Sequence, residues 1–436
     1  FAQSRRRFIQ QEQTRVGGQR ARDLQGSLLP VRQRFGGPIR QDRLWFYSAL
    51  RYMRADAYVG DMFINRSAND PKAFTFDPDL SQPATNEAYW LDGQGRLTWQ
   101  ATPRHKFASM WCQQKSCKCP SLVNAVTAPE AGADNVHGKP LFITTGDWTA
   151  PLTSRLLVDA SVLYHYFDWG FLPYDDTNPD MIGINEQRTG ITFRARTSGY
   201  QDRKNRVLRY RATLSYITGA HSMKVGFNNS TGSSDYLNFV HQPIGYRTNG
   251  GVPNLIFLRA RPFNNLWEMD ADVGLFAQDR WTVDRLTLTG GVRLDYKKTH
   301  FPGQFLGPTA LAPNRNITIP ETPQLSWKDV TPKIGAAYDL SGTGRTALKV
   351  SLNKYLSGRQ LDELGNPVLD LVHTTTRAWT DTNGNFVAEC DLVNPDANGE
   401  CRAMANPAFG GTVPGTRYDP ELLRGWGVRE YNWEFS

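Results

Sequence analysis

The sequence lacks long apolar runs, and it is poor in cysteine and in hydrophobic residues overall. Only 5 of the 436 residues are cysteines, and hydrophobic residues make up 39%. No uncharged apolar stretch reaches the roughly 18 residues that a spanning helix needs, which excludes a bundle of membrane helices. Aromatic residues still make up 12%, which excludes a disordered chain. With 38 glycines and 26 prolines spread throughout, a mainly helical protein is excluded as well.

Catalytic and nucleotide-binding motifs are also missing. There is no Gly-x-Ser-x-Gly, no phosphate-binding glycine-rich loop and no His-Glu-x-x-His, and the 7 histidines are scattered. We therefore predict that the protein is not an enzyme. The net charge is +8, and basic residues cluster near the start of the chain at Arg5, Arg6, Arg7, Arg15, Arg20 and Arg22. Because no nucleic-acid-binding module surrounds them, they predict a solvated connection and no nucleic-acid partner.

What the sequence does contain is alternation of apolar and polar residues with period two. In the segment 285–297, one face carries Leu286, Leu288, Val292, Leu294 and Tyr296, and the other carries Thr287, Thr289, Arg293, Asp295 and Lys297. Segments 156–166, 206–218, 223–228 and 348–353 repeat the pattern. Such alternation is typical of β-strands whose two faces meet different surroundings, so it predicts an all-β protein.

The predicted strands are joined by turns and loops of alternating length. Short turns fall at 102–104, 152–154, 218–221, 283–285 and 341–344. Long polar connections cover 55–87, 116–142, 169–204, 237–265, 300–327 and 357–424. Compact soluble domains rarely carry connections longer than about 15 residues. Short periplasmic turns and long extracellular loops are typical of antiparallel transmembrane β-barrels.

A soluble β-sandwich or propeller is the alternative that alternation alone leaves open. Runs of about 11 to 15 residues exceed the usual soluble strand and suit a tilted membrane crossing. Aromatic residues near the predicted strand ends fit the girdles of a membrane barrel, although strands favour aromatics anyway. These residues are Tyr164, Tyr166, Tyr210, Tyr216, Trp281 and Tyr296. We therefore predict a membrane barrel.

All five cysteines fall in or beside the predicted outer connections. Cys390 and Cys401 are close enough in sequence to close a small loop, and a disulfide fits an extracytoplasmic setting. Cys112, Cys117 and Cys119 form an odd set. We expect Cys112 to pair with Cys117 or Cys119. Zinc is the alternative for this set, although no histidine follows at the spacing of a zinc finger.

A calcium ion is the only cofactor that the sequence suggests. Asp381, Asn383 and Asn385 offer oxygen ligands at alternate positions, and Asp391 follows. Calcium favours such oxygen ligands, so we predict a structural Ca²⁺ in this extracellular loop. The spacing departs from an EF-hand, which needs glycine at the sixth position and glutamate at the twelfth. The alternative is a turn whose side chains bond to their own backbone.

Several segments resemble the large TonB-dependent outer-membrane receptors, in particular the Oar-like branch. These segments are 36–47 (GGPIRQDRLWFY), 274–282 (GLFAQDRWT), 331–338 (TPKIGAAY) and 425–429 (GWGVR). The resemblance runs from about residue 36 to the end, and it rests on the order and spacing of segments that are each modest. It implies a 22-stranded barrel closed by an N-terminal plug, of which this chain would hold about 12 strands.

The resemblance also implies how the chain is divided. Residues 1–35 would be the end of the plug or its connection to the barrel, and residues 36–436 would be a partial barrel. The chain starts at Phe1 and stops inside a strand-like segment, so we expect a piece of a longer protein. The plug and the TonB box would precede Phe1.

The function that the resemblance implies is energy-coupled uptake of an unknown extracellular ligand across the outer membrane of a Gram-negative-type bacterium. Its partners would be outer-membrane lipid and the TonB–ExbB–ExbD complex. The polar strand faces would line the lumen, with Arg209, Arg211, Arg293, Asp295 and Lys349 as candidates. A passive porin and a soluble or surface β-sandwich for binding or adhesion are the alternatives.

Overall fold

The computed structural model describes residues 31–356, 364–412, 419–424 and 429–436, and these are mostly β-strand. In chain order the strands are β1 (Val31–Arg40), β2 (Leu44–Asn65), β3 (Pro78–Gln100), β4 (Lys106–Ser121), β5 (Ala133–Pro151), β6 (Leu156–Leu172), β7 (Ile184–Glu186), β8 (Thr192–Phe193), β9 (Tyr200–Thr218), β10 (His221–Phe239), β11 (Ile244–Asn249), β12 (Val252–Arg259), β13 (Phe263–Val283), β14 (Leu286–Phe301), β15 (Gln304–Leu306), β16 (Ile317–Ile319), β17 (Thr322–Asp339), β18 (Ala347–Leu356), β19 (Thr374–Trp379), β20 (Cys401–Met404) and β21 (Tyr431–Phe435).

Helical structure is confined to three short pieces within the described ranges. They are the 3₁₀-helices Pro129–Ala131 and Pro367–Asp370 and the α-helix Pro420–Arg424. None of the helices in this part of the chain has the length and hydropathy that a membrane crossing requires. The predicted basic segment from Arg5 to Arg22 lies outside the described residues.

Thirteen strands form one continuous antiparallel sheet, in the order β1-β2-β3-β4-β5-β6-β9-β10-β13-β14-β17-β18-β21. The all-β, antiparallel fold class is therefore confirmed, with thirteen strands in place of the twelve expected. Among the described strands, β1 and β21 each pair with a single neighbour, so the sheet is open and does not close into a ring. A complete barrel would need further strands between these two edges.

The short turns lie where the sequence predicts them. Residues 101–105, 152–155, 219–220, 284–285 and 340–346 join successive strands at one end of the sheet, which we call the turn end. Gly219 and Asp284 adopt positive φ, as the tightest hairpins require. The long connections lie at the opposite end, which we call the outer end. This arrangement confirms the predicted alternation of short turns and long loops.

The strands continue well beyond the predicted limits. β2 has 22 residues and β3 has 23, so much of the predicted connection 55–87 is strand. At about 3.3 Å per residue, such strands are roughly 70 Å long, and only about 9 to 11 residues are needed to cross a membrane. The extensions escape detection because the period-two alternation is lost toward the outer end. β1 begins at Val31, before the predicted boundary at residue 36, and the domain division itself stays a prediction.

Three of the long connections build a second sheet, which we call the cap. Its strand order is β20-β19-β12-β11-β7-β8. A buried apolar cluster holds the cap together and includes Ile184, Tyr246, Ile256, Leu258 and Trp379. The main hydrophobic core of the described residues therefore lies in the connections. β15 and β16 form a small separate hairpin.

Candidate functional site

One face of the thirteen-stranded sheet is apolar across neighbouring strands, and we call it the apolar face. Leu214 of β9 lies opposite Val158 of β6 and Val225 of β10. Farther along the sheet, Val292 of β14 lies opposite Ala277 of β13. These side chains are unusually exposed, with 46% of Val225 and 44% of Val292 accessible. A continuous exposed apolar surface of this kind suits contact with lipid.

Aromatic side chains lie at two levels of the apolar face. At the turn end, Trp99 packs against Phe107, with ring centroids 5.7 Å apart. Toward the outer end, Trp111 stacks on Phe142 at 4.4 Å, and Phe142 stacks on Tyr166 at 6.0 Å. Aromatic side chains on an exposed apolar sheet face are typical of transmembrane β-barrels.

The five predicted lumen-facing residues lie on the opposite face, which we call the polar face. Arg209 and Arg211 flank Tyr210 of the apolar face, so their side chains leave the strand on the other side. Arg293 Nε donates a 2.8 Å hydrogen bond to Asp295 Oδ1. A Cβ at Gly274 would approach the Arg293 guanidinium to 1.9 Å, so glycine gives that side chain room.

Lys349 completes this set in β18, where it pairs with Ala337 of β17. The structure thus brings Arg293 and Asp295 into contact, and it spreads the other three candidates along the same face. That this face lines a lumen stays a prediction.

The polar face also carries a row of aromatic and histidine rings that the sequence pattern did not predict. Phe167 of β6 lies 5.6 Å from His137 and 5.9 Å from Trp169, measured between ring centroids. The Arg203 guanidinium lies 4.8 Å from the Trp169 ring and 3.5 Å from that of Tyr236. Aromatic residues at alternate positions within 165–171 were the available signal in the sequence. This row gives the outer end of the polar face several flat surfaces for stacking.

A buried arginine organises the cap. Only 1% of Arg377 is exposed, and its guanidinium donates to four backbone carbonyls. The acceptors are Arg402 (2.7 Å), Asp391 (2.9 Å), Asn394 (2.9 Å) and Asp396 (2.7 Å). Burial lowers the pKa of Arg377 from its usual value. The side chain therefore fixes the connection after β19 from inside, a role that its sequence neighbourhood does not reveal.

The structure joins Cys390 to Cys401 by a disulfide beside this arginine. The expected pairing of Cys112 was wrong, because Cys117 is joined to Cys119 and Cys112 is free. All three cysteines lie in β4, and the position of Cys112 differs from that of each other cysteine by an odd number. In an extended strand, residues at odd separation point to opposite faces, so Cys112 cannot reach either partner.

The predicted calcium ligands bond to nearby backbone. Asp381 carboxylate oxygens accept from the N–H groups of Gly384 (2.8 Å) and Phe386 (2.9 Å). In the same way, the Asn383 side chain accepts from Asn385 N–H at 3.1 Å. The side chains of Asn385 and Asp391 likewise accept, from Val387 N–H (2.7 Å) and Val393 N–H (2.9 Å). These contacts satisfy the oxygens locally and favour the turn alternative. Calcium binding stays a prediction.

A different group meets the distance requirement for a metal within the described ranges. It consists of Cys117, Cys119 and Asp134, whose ligand atoms lie within 4.8 Å of one another. The two sulfurs are joined in a disulfide here, and a disulfide leaves no thiolate to ligate zinc.

Comparison with known proteins places the chain in a family. The family profile described as "TonB dependent receptor-like, beta-barrel" matches residues 130–396, which is more than half of the chain. No curated protein sequence matches this chain.

A solved structure supports the same fold. The outer membrane transporter YddB from Escherichia coli superposes with a TM-score of 0.54 at 14% identity, covering 80% of this chain and 43% of that one. The ferric yersiniabactin uptake receptor FyuA from Yersinia pestis gives 0.47 at 12% identity, covering 76% and 45%. The chain thus spans less than half the length of these proteins. At these identities the likeness to YddB concerns the fold alone, whereas the family profile identifies the sequence itself. The chain belongs to the family of TonB-dependent receptor-like β-barrels.

Proposed function

We propose that this chain is part of an outer-membrane receptor that takes up an extracellular ligand by TonB-coupled active transport. The observation that carries the proposal is the exposed apolar face with its aromatic side chains, opposite a face rich in charged side chains. Lipid offers no hydrogen-bond partners to a backbone, so a sheet with such a face must close on itself in the membrane. The parent protein would supply the strands that complete the ring.

A barrel of the implied size is too wide to seal itself, so a plug must fill it. The charged residues of the polar face would hold that plug through ion pairs and hydrogen bonds. We assign residues 1–35 to the end of the plug or its connection and residues 36–436 to the partial barrel. The TonB–ExbB–ExbD complex would act through the segment before Phe1. The Oar-like branch remains our assignment within the family.

Ligand capture would take place at the outer end. The cap, its Cys390–Cys401 disulfide and the row of rings around Phe167 offer ordered, partly apolar surfaces there. A calcium ion in the 381–391 loop would be a structural addition to the same end.

The passive porin would share the sheet but would need no TonB complex. A soluble β-sandwich would have to cover its apolar face with a second sheet. Fractionation of the cell envelope after expression of the full-length parent separates these possibilities. A receptor gives a heat-modifiable band in the outer membrane, and its ligand-dependent protection of the plug from protease changes when TonB is deleted. A porin gives the band without the TonB effect, and a soluble protein gives neither.

A further inference from the structure

A cavity beside the cap carries positive charge that the proposed transport function does not use. Its volume is about 540 Å³, within the usual range for small-molecule sites. Four separate chain segments form its wall, represented by Thr197, Arg259, Thr374 and Asn406. No aspartate or glutamate of the described residues lies in that wall. The cavity therefore combines cations and hydroxyl groups without a counter-ion.

Strand alternation places Arg259 on the side of the cap that meets the cavity. Ile256 and Leu258 of β12 belong to the buried apolar cluster of the cap. Phe257 and Arg259 therefore project from the opposite face of the strand. Arg259 lies directly opposite Thr374 of β19, and residues in that relation share a face of the sheet. The Thr374 hydroxyl thus projects on the same side as the guanidinium.

Arg259 is the feature that points to a ligand. Only 7% of this residue is exposed, and its guanidinium forms no hydrogen bond or ion pair with the described residues. Its three nitrogens are not sealed from solvent, so they open into the cavity that the residue lines. A Cβ at Gly245 would lie 3.2 Å from Nη1, so glycine gives the guanidinium room. Donors without an acceptor on a nearly buried cation are costly, so an acceptor from outside the chain is expected.

A second arginine adds to the positive charge. Arg261 lines the same wall, and its guanidinium lies 5.5 Å from the Phe263 ring centroid. Burial, together with the charge of Arg261, lowers the pKa of Arg259 to about 10. The two guanidinium groups are thus close enough to repel each other, and an anion between them would relieve that repulsion.

Hydroxyl groups complete the wall of the cavity. Thr374 and Thr376 alternate along β19, so both lie on the face that carries Arg259. Thr197 and Ser198 approach from the connection that precedes β9. Neutral donors of this kind can bond to the oxygens of an anion that the guanidinium groups leave free.

We propose that this cavity binds the phosphate group of a small phosphorylated molecule. A phosphate monoester carries a charge of about −1.5 to −2 at neutral pH and three acceptor oxygens, which match two arginines and the threonine hydroxyls. A carboxylate carries one charge and two oxygens, so one arginine would satisfy it and the other would stay unpaired. The inference rests on the proposed function, since it names the ligand class for the outer end of the receptor.

The experiment measures binding by calorimetry and not uptake, so it does not depend on transport. Glucose 6-phosphate is titrated into the purified full-length parent in detergent, alongside glucose, which lacks the phosphate. Glucose 6-phosphate is expected to bind more tightly by about a hundredfold or more, because two charged hydrogen-bonded contacts are lost with the phosphate. Inorganic phosphate should compete with it, since the phosphate group makes those contacts.

Arg259→Gln removes the charge of the nearly buried arginine and should weaken glucose 6-phosphate binding by about tenfold or more. Arg402→Gln is the matched control, because Arg402 is an exposed arginine of the cap that does not line the cavity. Heat-modifiable migration of both variants shows that they are folded. Equal weakening by the two variants would contradict the role of Arg259.

Thr374→Val changes an exposed side chain, so it tests the cavity without disturbing a buried charge. It should weaken glucose 6-phosphate binding by about threefold to tenfold through loss of one hydrogen bond. Thr380→Val is its control, because Thr380 is exposed and lies just beyond β19, outside the cavity wall. A Thr374→Val variant that binds no more weakly than this control would contradict the role of the hydroxyl.

Absence of glucose 6-phosphate binding up to millimolar concentration would overturn the ligand class, and so would equal affinity for glucose. Either failure leaves a heat-modifiable, TonB-responsive receptor intact. A protein that binds the phosphate without entering the outer membrane would instead contradict the proposed function.

Discussion

Single charged residues decide much of the behaviour of the outer end. Arg377 and Arg194 are both buried, but the Arg377 guanidinium donates to four backbone carbonyls, whereas the Arg194 guanidinium donates to one, that of Pro71. Neither set of contacts can be read from the sequence, because each joins segments that are apart in the chain.

Arg377 should be the most sensitive position of the cap. Arg377→Lys keeps the charge but cannot reach four carbonyls, so we expect a loss of about 3 kcal/mol in cap stability. Hydrogen exchange of residues 374–404 in the parent protein measures this loss. Arg402→Lys is the matched control, since the Arg402 side chain is exposed, and it should change exchange little. Equal effects of the two variants would contradict the role given to Arg377.

Asp134 should make stability depend on pH. Its pKa is raised to about 6, against roughly 3.9 in an unfolded chain, so the folded state holds the proton more tightly. The stabilising contribution is complete below about pH 4 and is lost as the pH rises through about 6. Asp134→Asn should therefore raise the free energy of unfolding at pH 8 by up to about 1 kcal/mol, after allowance for solvent screening.

The same variant should bring no gain at pH 4, where Asp134 is already neutral. The charges of Asp175 and Asp176 raise the pKa of Asp134, and the charge of Lys139 lowers it. Chemical unfolding of the parent at the two pH values measures the difference. An equal gain in the free energy of unfolding at both pH values would mean that burial and neighbouring charges do not destabilise the Asp134 carboxylate.

At the scale of elements, a carboxylate closes the hairpin between β11 and β12. Glu186 accepts from the N–H groups of Gly250 (2.8 Å) and Gly251 (3.0 Å) and from Thr248 Oγ1 (2.8 Å). Although burial would raise the pKa of Glu186, these hydrogen bonds and one from Arg188 N–H lower it to about 2. Its stabilising effect is thus present above about pH 4.5 and is lost as the pH falls through about 2.

Glu186→Gln should weaken this hairpin by about 1 kcal/mol at neutral pH, because an amide accepts fewer and weaker bonds than a carboxylate. Hydrogen exchange at Gly250 and Gly251 reports the loss. Glu421→Gln, in the exposed helix Pro420–Arg424, should leave these amides unchanged. Unaltered exchange in Glu186→Gln would show that the turn holds without the carboxylate.

The strand faces make the strongest prediction for an element. Val162 lies in the middle of the apolar column of β6, and Ser161 points to the polar face between Asp147 and Arg211. Val162→Arg should destabilise the folded parent in lipid vesicles by about 2 to 4 kcal/mol. Ser161→Arg should cost less than about 1 kcal/mol, because a nearby carboxylate and water can accommodate the charge. Denaturant unfolding in vesicles compares the two, and similar losses would contradict the assignment of faces.

At the scale of the whole molecule, the sequence predicts the parts that obey period two. The hairpins around Gly219 and Asp284, the apolar columns and the sheet class all follow from local residues. The outer extensions of β2 and β3 could not be predicted, since they lack regular alternation, and Met62 and Ala84 there are buried against the connections. The cap depends on pairing between β12 and β19, which lie more than a hundred residues apart.

The candidate site also has features that the sequence predicts and features that it does not. Which residues share the polar face can be predicted, because Arg209, Arg211 and Arg293 alternate with apolar neighbours. The exclusion of Cys112 from a disulfide could also have been predicted, because residues 112–119 in an extended strand alternate between its two faces. The contacts of Arg194 with Pro71 and Glu130 could not, because they join three different connections of the chain.

The account depends above all on lipid contact at the apolar face, and spin labelling tests that contact directly. A nitroxide is attached at Val162→Cys or Ser161→Cys of the parent in vesicles, with Cys112→Ser removing the free thiol. We predict that the label at 162 is relaxed by oxygen dissolved in lipid and shielded from a water-soluble nickel complex. The label at 161 should show the smaller oxygen effect. Equal exposure of both labels to the nickel complex would contradict the membrane barrel.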